Sequence, residues 1–391
     1  MRCFEVKILF IGSRLFDDVS WYAKEKGITT ILTESNENAV NLDLADKHYI
    51  VERGMDKPRE IAIKEDVDAV IPLIGIDKPL VDVGLLKDRL ESENGIPVVA
   101  AGYECAKLAS DKYQTKRLLL ENDIKTPLFR KVDDKYNIDE VKKDLPTVLK
   151  TPEGQGGSGV RIALSSDDVD DFIKGNDNVF TEEYVEGFEA SIEVLRWNNR
   201  EVALAPIYKG ATTTQGTHPL SKIKQGPLDI EGLDNDKHNN ALRTLAERLA
   251  KLVNVEGTMD IDILHDTTEN EDFIIELNTR PSGTRYMTAA TTDIYPLCQL
   301  VDMACGTWDS TQVESQMKSY YSTELPIGNF PQDKPIPENK IFAGEESYVV
   351  HGPENYQRLT ARASTRQLLN ELVHQLVPDY AKDNNIDFNK C

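Results

Sequence analysis

A chain of 391 residues, 40% hydrophobic and 29% charged, has room for roughly two or three domains around a well-buried core. Its formal net charge of −22 would repel a phosphate backbone, so no nucleic acid is expected as partner. The five cysteines (Cys3, Cys105, Cys298, Cys305, Cys391) are scattered, odd in number and contain no C-x-x-C pair, which points to a reducing compartment and away from a thiolate metal site. The opening MRCFEVKILFIG is too short and too charged for a signal peptide, and no apolar run approaches ~18 residues; a cytoplasmic protein without membrane contact is expected.

Val6 to Ile11 is a continuous apolar run ending at Gly12, the pattern of a buried parallel strand. A helix (Val19 to Lys26), a strand from Thr29 to Thr33 and further strands at Val67 to Leu73 and Ile96 to Ala100 make residues 1–105 a small doubly wound α/β domain. A dinucleotide fingerprint is absent here, because Gly12-Ser13-Arg14-Leu15-Phe16 lacks the second and third glycines. Gly75-Ile76-Asp77-Lys78 stands at a strand end where it can line a crevice.

Ser110-Asp111-Lys112 opens a helix through Leu120, and Pro146 to Lys150 is a short strand ending on a cation. The glycine run Gly154-Gln155-Gly156-Gly157-Ser158-Gly159 follows. Its spacing fits G-x-G-x-x-G, yet Val160 to Leu164 alternates like a strand, so neither a Rossmann turn nor a Walker A loop fits. What remains is a glycine-tipped hairpin able to fold its backbone N–H groups over phosphates. A helix spans about Ser165 to Lys174, and VFTEEYVEGFE (179–189) then reads as a strand entering an acidic linker. Backbone groups of Glu183 and Val185 can read an adenine edge there, and Glu189 can take ribose hydroxyls. Residues 209–229 form a long polar connection carrying Lys209, His218, Lys222 and Lys224, a local cationic cluster suited to anionic substrate groups. Asn239 to Leu252 is an amphipathic helix whose leucines are core.

Gly257 to Arg285 carries the densest chemistry. Met259 to Leu264 and Phe273 to Leu277 form a hairpin in which Asp260 and Asp262 share one face, as do Glu276 and Asn278. Asp262, Glu276 and Asn278 are hard oxygen ligands suited to Mg²⁺ held against phosphates, and Arg280 follows on the same face as a fixed cation. Beyond it come a helix at Ile294 to Ala304, an irregular junction at Asp309 to Pro337, strands at Ile341 to Val350 and Tyr356 to Ala361, and a last helix marked by Leu368, Leu369, Leu372 and Leu376. His351 and His374 read as structural, and the final dozen residues as frayed.

A cation after a strand, a glycine hairpin, an acid-rich linker and a D…E-x-N-x-R hairpin, in that order, resemble the ATP-grasp superfamily of carboxylate–amine ligases over about residues 106–310. E-x-N-x-R is similar to the large chain of carbamoyl-phosphate synthetase and to biotin carboxylase, and GTMDID to the ligase joining 3-methylornithine to lysine. The resemblance implies an α/β (α+β in part) ATP-grasp fold. It has an N-terminal doubly wound domain (1–105), a two-lobed ATP-binding module (106–310; glycine-hairpin lobe about 125–185, metal and substrate lobe about 186–310) and a small C-terminal lobe (311–391). It further implies ATP with Mg²⁺ or Mn²⁺ as cofactors, small-molecule carboxylate and amine substrates, and a homodimer. Lys112 and Lys150, with Gly156, Gly157, Ser158 and Gly159, would hold phosphates; Glu182, Glu183, Tyr184, Val185 and Glu189 the nucleoside. Asp262, Glu276 and Asn278 would hold the metal, and Arg280 and Lys150 would act in catalysis. Ser282, Gly283, Arg285 (as a carboxylate clamp), His218 and Lys222 would meet substrate. The expected activity is ADP-forming coupling of an acyl phosphate to an amine by an amino-acid or small-peptide ligase, making a peptide, cofactor or cell-envelope precursor; the alternative is an ATP-binding regulatory or scaffold protein with degenerate catalysis. Asn278-Thr279-Arg280 departs from the family's usual Asn-Pro-Arg. Because the chain has one module and no glutaminase or biotin lobe, carbamoyl-phosphate synthesis and biotin carboxylation are not expected.

Overall fold

The computed structural model describes residues 6–133, 136–214, 221–337 and 339–388. Strands β1 (Lys7–Ile11), β2 (Thr29–Glu34), β3 (Lys47–Ile50) and β4 (Ala69–Pro72) form a parallel sheet in the order β3-β2-β1-β4. The apolar runs of β1, β2 and β4 are buried on both sides, as parallel strands covered by helices require. The strand expected at Ile96 to Ala100 is reduced to a single bridge between Val70 and Val98.

A second sheet, ordered β5-β8-β6-β7, is antiparallel and comprises β5 (Phe129–Lys131), β6 (Thr147–Lys150), β7 (Val160–Ala163) and β8 (Phe180–Glu183). The glycine run is the tip joining β6 to β7, closed by the Thr151 N–H donating to the Gly159 carbonyl at 2.9 Å. Gly159 sits at φ +71, and a side chain there would also collide with Thr151.

The third sheet has nine antiparallel strands: β9 (Gly187–Trp197), β10 (Arg200–Ala203), β11 (Ile207–Ala211), β12 (Lys224–Gly226), β13 (Gly257–Asp266), β14 (Glu271–Asn278), β15 (Tyr321–Gly328), β16 (Ser347–His351) and β17 (Gln357–Ala363). Their order is β14-β13-β9-β11-β12-β15-β17-β16, with β10 paired to β9. Three expectations are corrected here. The Asp309 to Pro337 stretch contains a helix (Ser310–Gln316) and β15, an interior strand of this sheet. The connection at 209–229 is partly strand, since β11 runs into it as far as Ala211 and β12 lies within it. The C-terminal end does not fray through residue 388 either: Pro378–Asp383 is helical, and Ile386 and Phe388 are buried in the last core cluster.

One face of β13 is apolar. Met259, Ile261 and Ile263 pack with Leu242, Ala246 and Leu249 of the helix Asn235–Leu252, whose Asp234 N-cap accepts from the Lys237 N–H. The period of two therefore turns Asp260 and Asp262 to the opposite face. Register then sets their neighbours: Asp260 lies opposite Glu193 on β9 and Asn278 on β14, and Asp262 lies opposite Ser191 and Glu276, with a bulge after Asp262. At the start of β9, a Cβ on Gly187 would strike the His265 carbonyl of β13. Gly187→Ala is expected to destabilise by about 1–3 kcal/mol, as overpacking does, read as a lowered midpoint in chemical denaturation; an unchanged midpoint would refute this register.

Candidate active site

The hairpin brings the expected metal ligands together. Asn278 Nδ2 donates to Asp262 Oδ2 at 3.3 Å, and Glu276 stands across the strand pair from Asp262. Cations from other elements reach the same acids. Lys112 Nζ lies 2.9 Å from Glu276 Oε1, Lys209 pairs with Asp262, and Arg280 donates to Asn278 Oδ1 at 3.2 Å while pairing with Asp77. Burial alone would pull Lys209 down, but the charges of Asp262 and Asp260 outweigh it and hold the ammonium above its ordinary range. Arg280 is likewise raised: burial works against its charge, and Asp77 more than restores it.

Behind this front lies a second pair of acids. Burial, with the Asp260 charge added, pushes the Glu193 carboxyl up to about 8, although Thr258 donates to it at 2.9 Å. Burial and Asp262 raise Asp260 to about 6. Two carboxyls opposed in a buried sheet cannot both ionise cheaply, and a shared proton is the ordinary outcome.

Lys150, at the end of β6, donates to Glu182 Oε2 at 2.8 Å, and Lys116 approaches Glu182 Oε1 at 3.1 Å. Burial would raise Glu182, but the charges of Lys150 and Lys116 hold it below its usual range; burial also draws Lys116 down to about 8 despite Glu182. The Glu182 side chain is therefore engaged with lysines, and its carbonyl accepts from the Thr147 hydroxyl at 2.9 Å. Glu183 accepts from the Leu128 N–H at 2.8 Å, Glu189 pairs with Lys222 at 3.3 Å, and Val185 is buried beside the half-exposed Tyr184. Ser282 Oγ is 2.7 Å from Thr284 Oγ1, which is 3.2 Å from Ser191 Oγ, while Gly283 opens onto free space. Arg285 donates through Nε to Asp18 at 2.7 Å, so its guanidinium is held by the segment between β1 and β2. His218 lies outside the described residues.

Sequence reasoning did not assign Lys116, Glu193 or Asp260 a place in the site. Lys116 had a readable signal: it follows Lys112 by four in one helix (Lys112–Glu121) and so shares its face. Nor did the sequence announce the buried cluster around Glu324, where Lys224 pairs with it, His351 Nε2 approaches at 3.2 Å and Arg358 Nη1 at 3.3 Å.

Residues 109–284 match the family profile described as "ATP-grasp domain". A curated "Carbamoyl-phosphate synthase" of Methanobrevibacter smithii is 45% identical over 372 residues, covering 95% of this chain and all of that protein. Biotin carboxylase of Campylobacter jejuni shares the fold at TM-score 0.74 and 18% identity, covering 100% of this chain and 99% of that one. The biotin carboxylase domain of the Hydrogenobacter thermophilus 2-oxoglutarate carboxylase, solved with MgADP and bicarbonate, does so at TM-score 0.74 and 17% identity, covering 95% and 89%. The chain belongs to the ATP-grasp family, the ADP-forming carboxylate–amine ligases. Within that family it is similar, along nearly its whole length, to the protein of M. smithii named a carbamoyl-phosphate synthase. Having a single module therefore does not set a chain apart from proteins of that name.

Removing one partner of a buried ion pair leaves an uncompensated charge. Lys116→Met is expected to cost about 3–5 kcal/mol in urea denaturation, and a loss below about 1 kcal/mol would remove the pair from the list of structural necessities. Burial draws His351 down to about 4, against an opposing pull from Glu324 and from an ordinary value of 6.5. The unfolded chain thus binds that proton first, and stability falls as pH drops from 6.5 towards 4. His351→Gln should flatten the slope of melting temperature against pH over that window.

Proposed function

We propose that the chain transfers the γ-phosphoryl group of ATP to a small-molecule carboxylate and couples the resulting acyl phosphate to an amine, releasing ADP and phosphate. The observation that carries this is the convergence of Asp262, Glu276 and Asn278 with Lys112, Lys209 and Arg280 on one sheet face. The donor set fits Mg²⁺, or Mn²⁺, because every ligand is a hard oxygen and, among the described residues, no thiol or imidazole intrudes. When bound, the metal supplies neutralisation of phosphate charge.

The chain's own residues supply the rest. Lys112 and Lys150 place fixed positive charge beside the phosphates, and the N–H groups of Gly156 to Gly159 cover them. Backbone groups at Glu182, Glu183 and Val185 meet the base, and Glu189 meets the ribose. Arg280, held in orientation by Asp77, stabilises the oxyanion that forms when the amine attacks. The hydroxyls of Ser282, Thr284 and Ser191, with Lys222, border the acyl substrate. Arg285 reaches a substrate carboxylate only by exchanging it for Asp18.

The near full-length relative favours a second reading, in which bicarbonate is the carboxylate and ammonia the amine. One panel separates the two. Purified protein is incubated with ATP and Mg²⁺, with bicarbonate and ammonia in one arm and carboxylate–amine pairs of amino acids in the others, and ADP is measured. No substrate-dependent ADP in any arm would overturn the proposal. Glu276→Gln and Lys150→Ala are each expected to lower turnover by about 10²–10³ or more while circular dichroism stays native. Undiminished turnover in either variant would strip that residue of its role.

A further inference from the structure

On the back of the large sheet, away from the reacting face, a second set of ligand-type side chains converges. His265 lies on β13 at an odd offset from Asp262 and so points the other way, towards the helix Asn235–Leu252. Its Nδ1 is 2.9 Å from Asp272 Oδ1 on β14, and His238 Nε2, from the first turns of that helix, is 2.7 Å from Asp272 Oδ2. The three ligand atoms all lie within 4.8 Å of one another; among the described residues no other group of histidine, cysteine, aspartate and glutamate side chains converges in this way. The His265 ring is locked in place, stacked on Phe188 with centroids 4.7 Å apart and planes at 24°. His238 Nδ1 is buried without a hydrogen-bond partner among the described residues.

We propose that His238, His265 and Asp272 form a binding site for a divalent metal of the zinc class. Two imidazoles and one carboxylate are borderline donors that suit Zn²⁺ and do not suit Mg²⁺. Around a tetrahedral zinc at roughly 2.0–2.2 Å, neighbouring donors stand roughly 3.3 Å apart, so the two hydrogen-bonded pairs would open slightly and the two imidazoles, already within 4.8 Å, would close on the ion. The side chains of His238 and Asp272 are 15% and 19% exposed, which leaves water able to fill a fourth position. Such an ion would tie the start of the helix to both strands of the hairpin whose other face carries Asp262, Glu276 and Asn278. Its role would be to hold that hairpin's register, separate from any chemistry at the phosphates.

The test uses the full chain, stripped with a chelator and kept in excess Mg²⁺ so that the all-oxygen site is filled. Titration with Co²⁺ is expected to give one equivalent with the intense visible absorption of a low-coordinate ion, displaced by Zn²⁺, together with a rise in melting temperature. His238→Gln and, separately, Asp272→Asn should lose both signals while melting cooperatively without metal. Absorption no stronger than that of the aquo ion in the wild-type chain, or a full signal surviving in a folded His238→Gln variant, would overturn the site.

Discussion

Acids that face one another across a buried sheet repel, and holding them there is the constraint on which the molecule turns. Asp260, Asp262, Glu193 and Glu276 occupy adjoining positions on three neighbouring strands. The charge that offsets them comes from elsewhere: Lys112 from a helix before the glycine lobe, Lys209 from β11, and Arg280 from the segment after β14. Between Glu193 and Asp260, neither of which forms an ion pair among the described residues, burial and like charge push the carboxyls up to about 8 and about 6. A sheet built only for stability would place apolar side chains at such positions, as the opposite face of β13 does with Met259, Ile261 and Ile263. On the function proposed above, the acids are kept because the face works on cations and phosphates.

The same contacts draw the domains together. Gln155 in the glycine tip donates to the Gly75 carbonyl at 3.1 Å and accepts from the Asp77 N–H at 2.9 Å. Asp77 in turn pairs with Arg280. A continuous run of polar contacts therefore leads from the tip, through a loop of the first domain, to the cation beside Asn278. Lifting the tip removes two hydrogen bonds from the loop that orients Arg280, so the position of the tip and the orientation of that cation are linked.

Much of this was legible locally. Alternation gave the β13–β14 hairpin and its acidic face, and the failure of a helix after Gly159 gave the glycine tip. What escaped was whatever depends on a distant partner. β15 reads as irregular because Pro326 interrupts it, yet β12 and β17 pair on its two sides. β3 is a short edge strand with mostly exposed side chains and no apolar period to betray it. Arg285 has the composition of a substrate clamp, and only the folded chain sets Asp18, 267 positions away, against it. Spacing gives the face a side chain occupies; it does not give the counter-charge waiting there.

The helix Lys112–Glu121 shows why that counter-charge matters to the architecture as well as to the site. Four residues along a helix is one turn, so Lys112 and Lys116 stand one above the other on a single face. Lys112 reaches Glu276 in the nine-stranded sheet, whereas Lys116 reaches Glu182 in the small sheet under the glycine tip. One turn of helix thus joins both lobes by charge. Lys150 meets Lys116 on the same carboxylate, so the cation at the end of β6 is positioned by an acid that is itself held from the helix. Phosphate groups entering between the lobes would compete with Glu276 for Lys112 and with Glu182 for Lys150. Only the first exchange would relax a tie to the nine-stranded sheet, since Lys150 and Glu182 share the small sheet, and Lys116, buried behind them, would go on holding Glu182 in place.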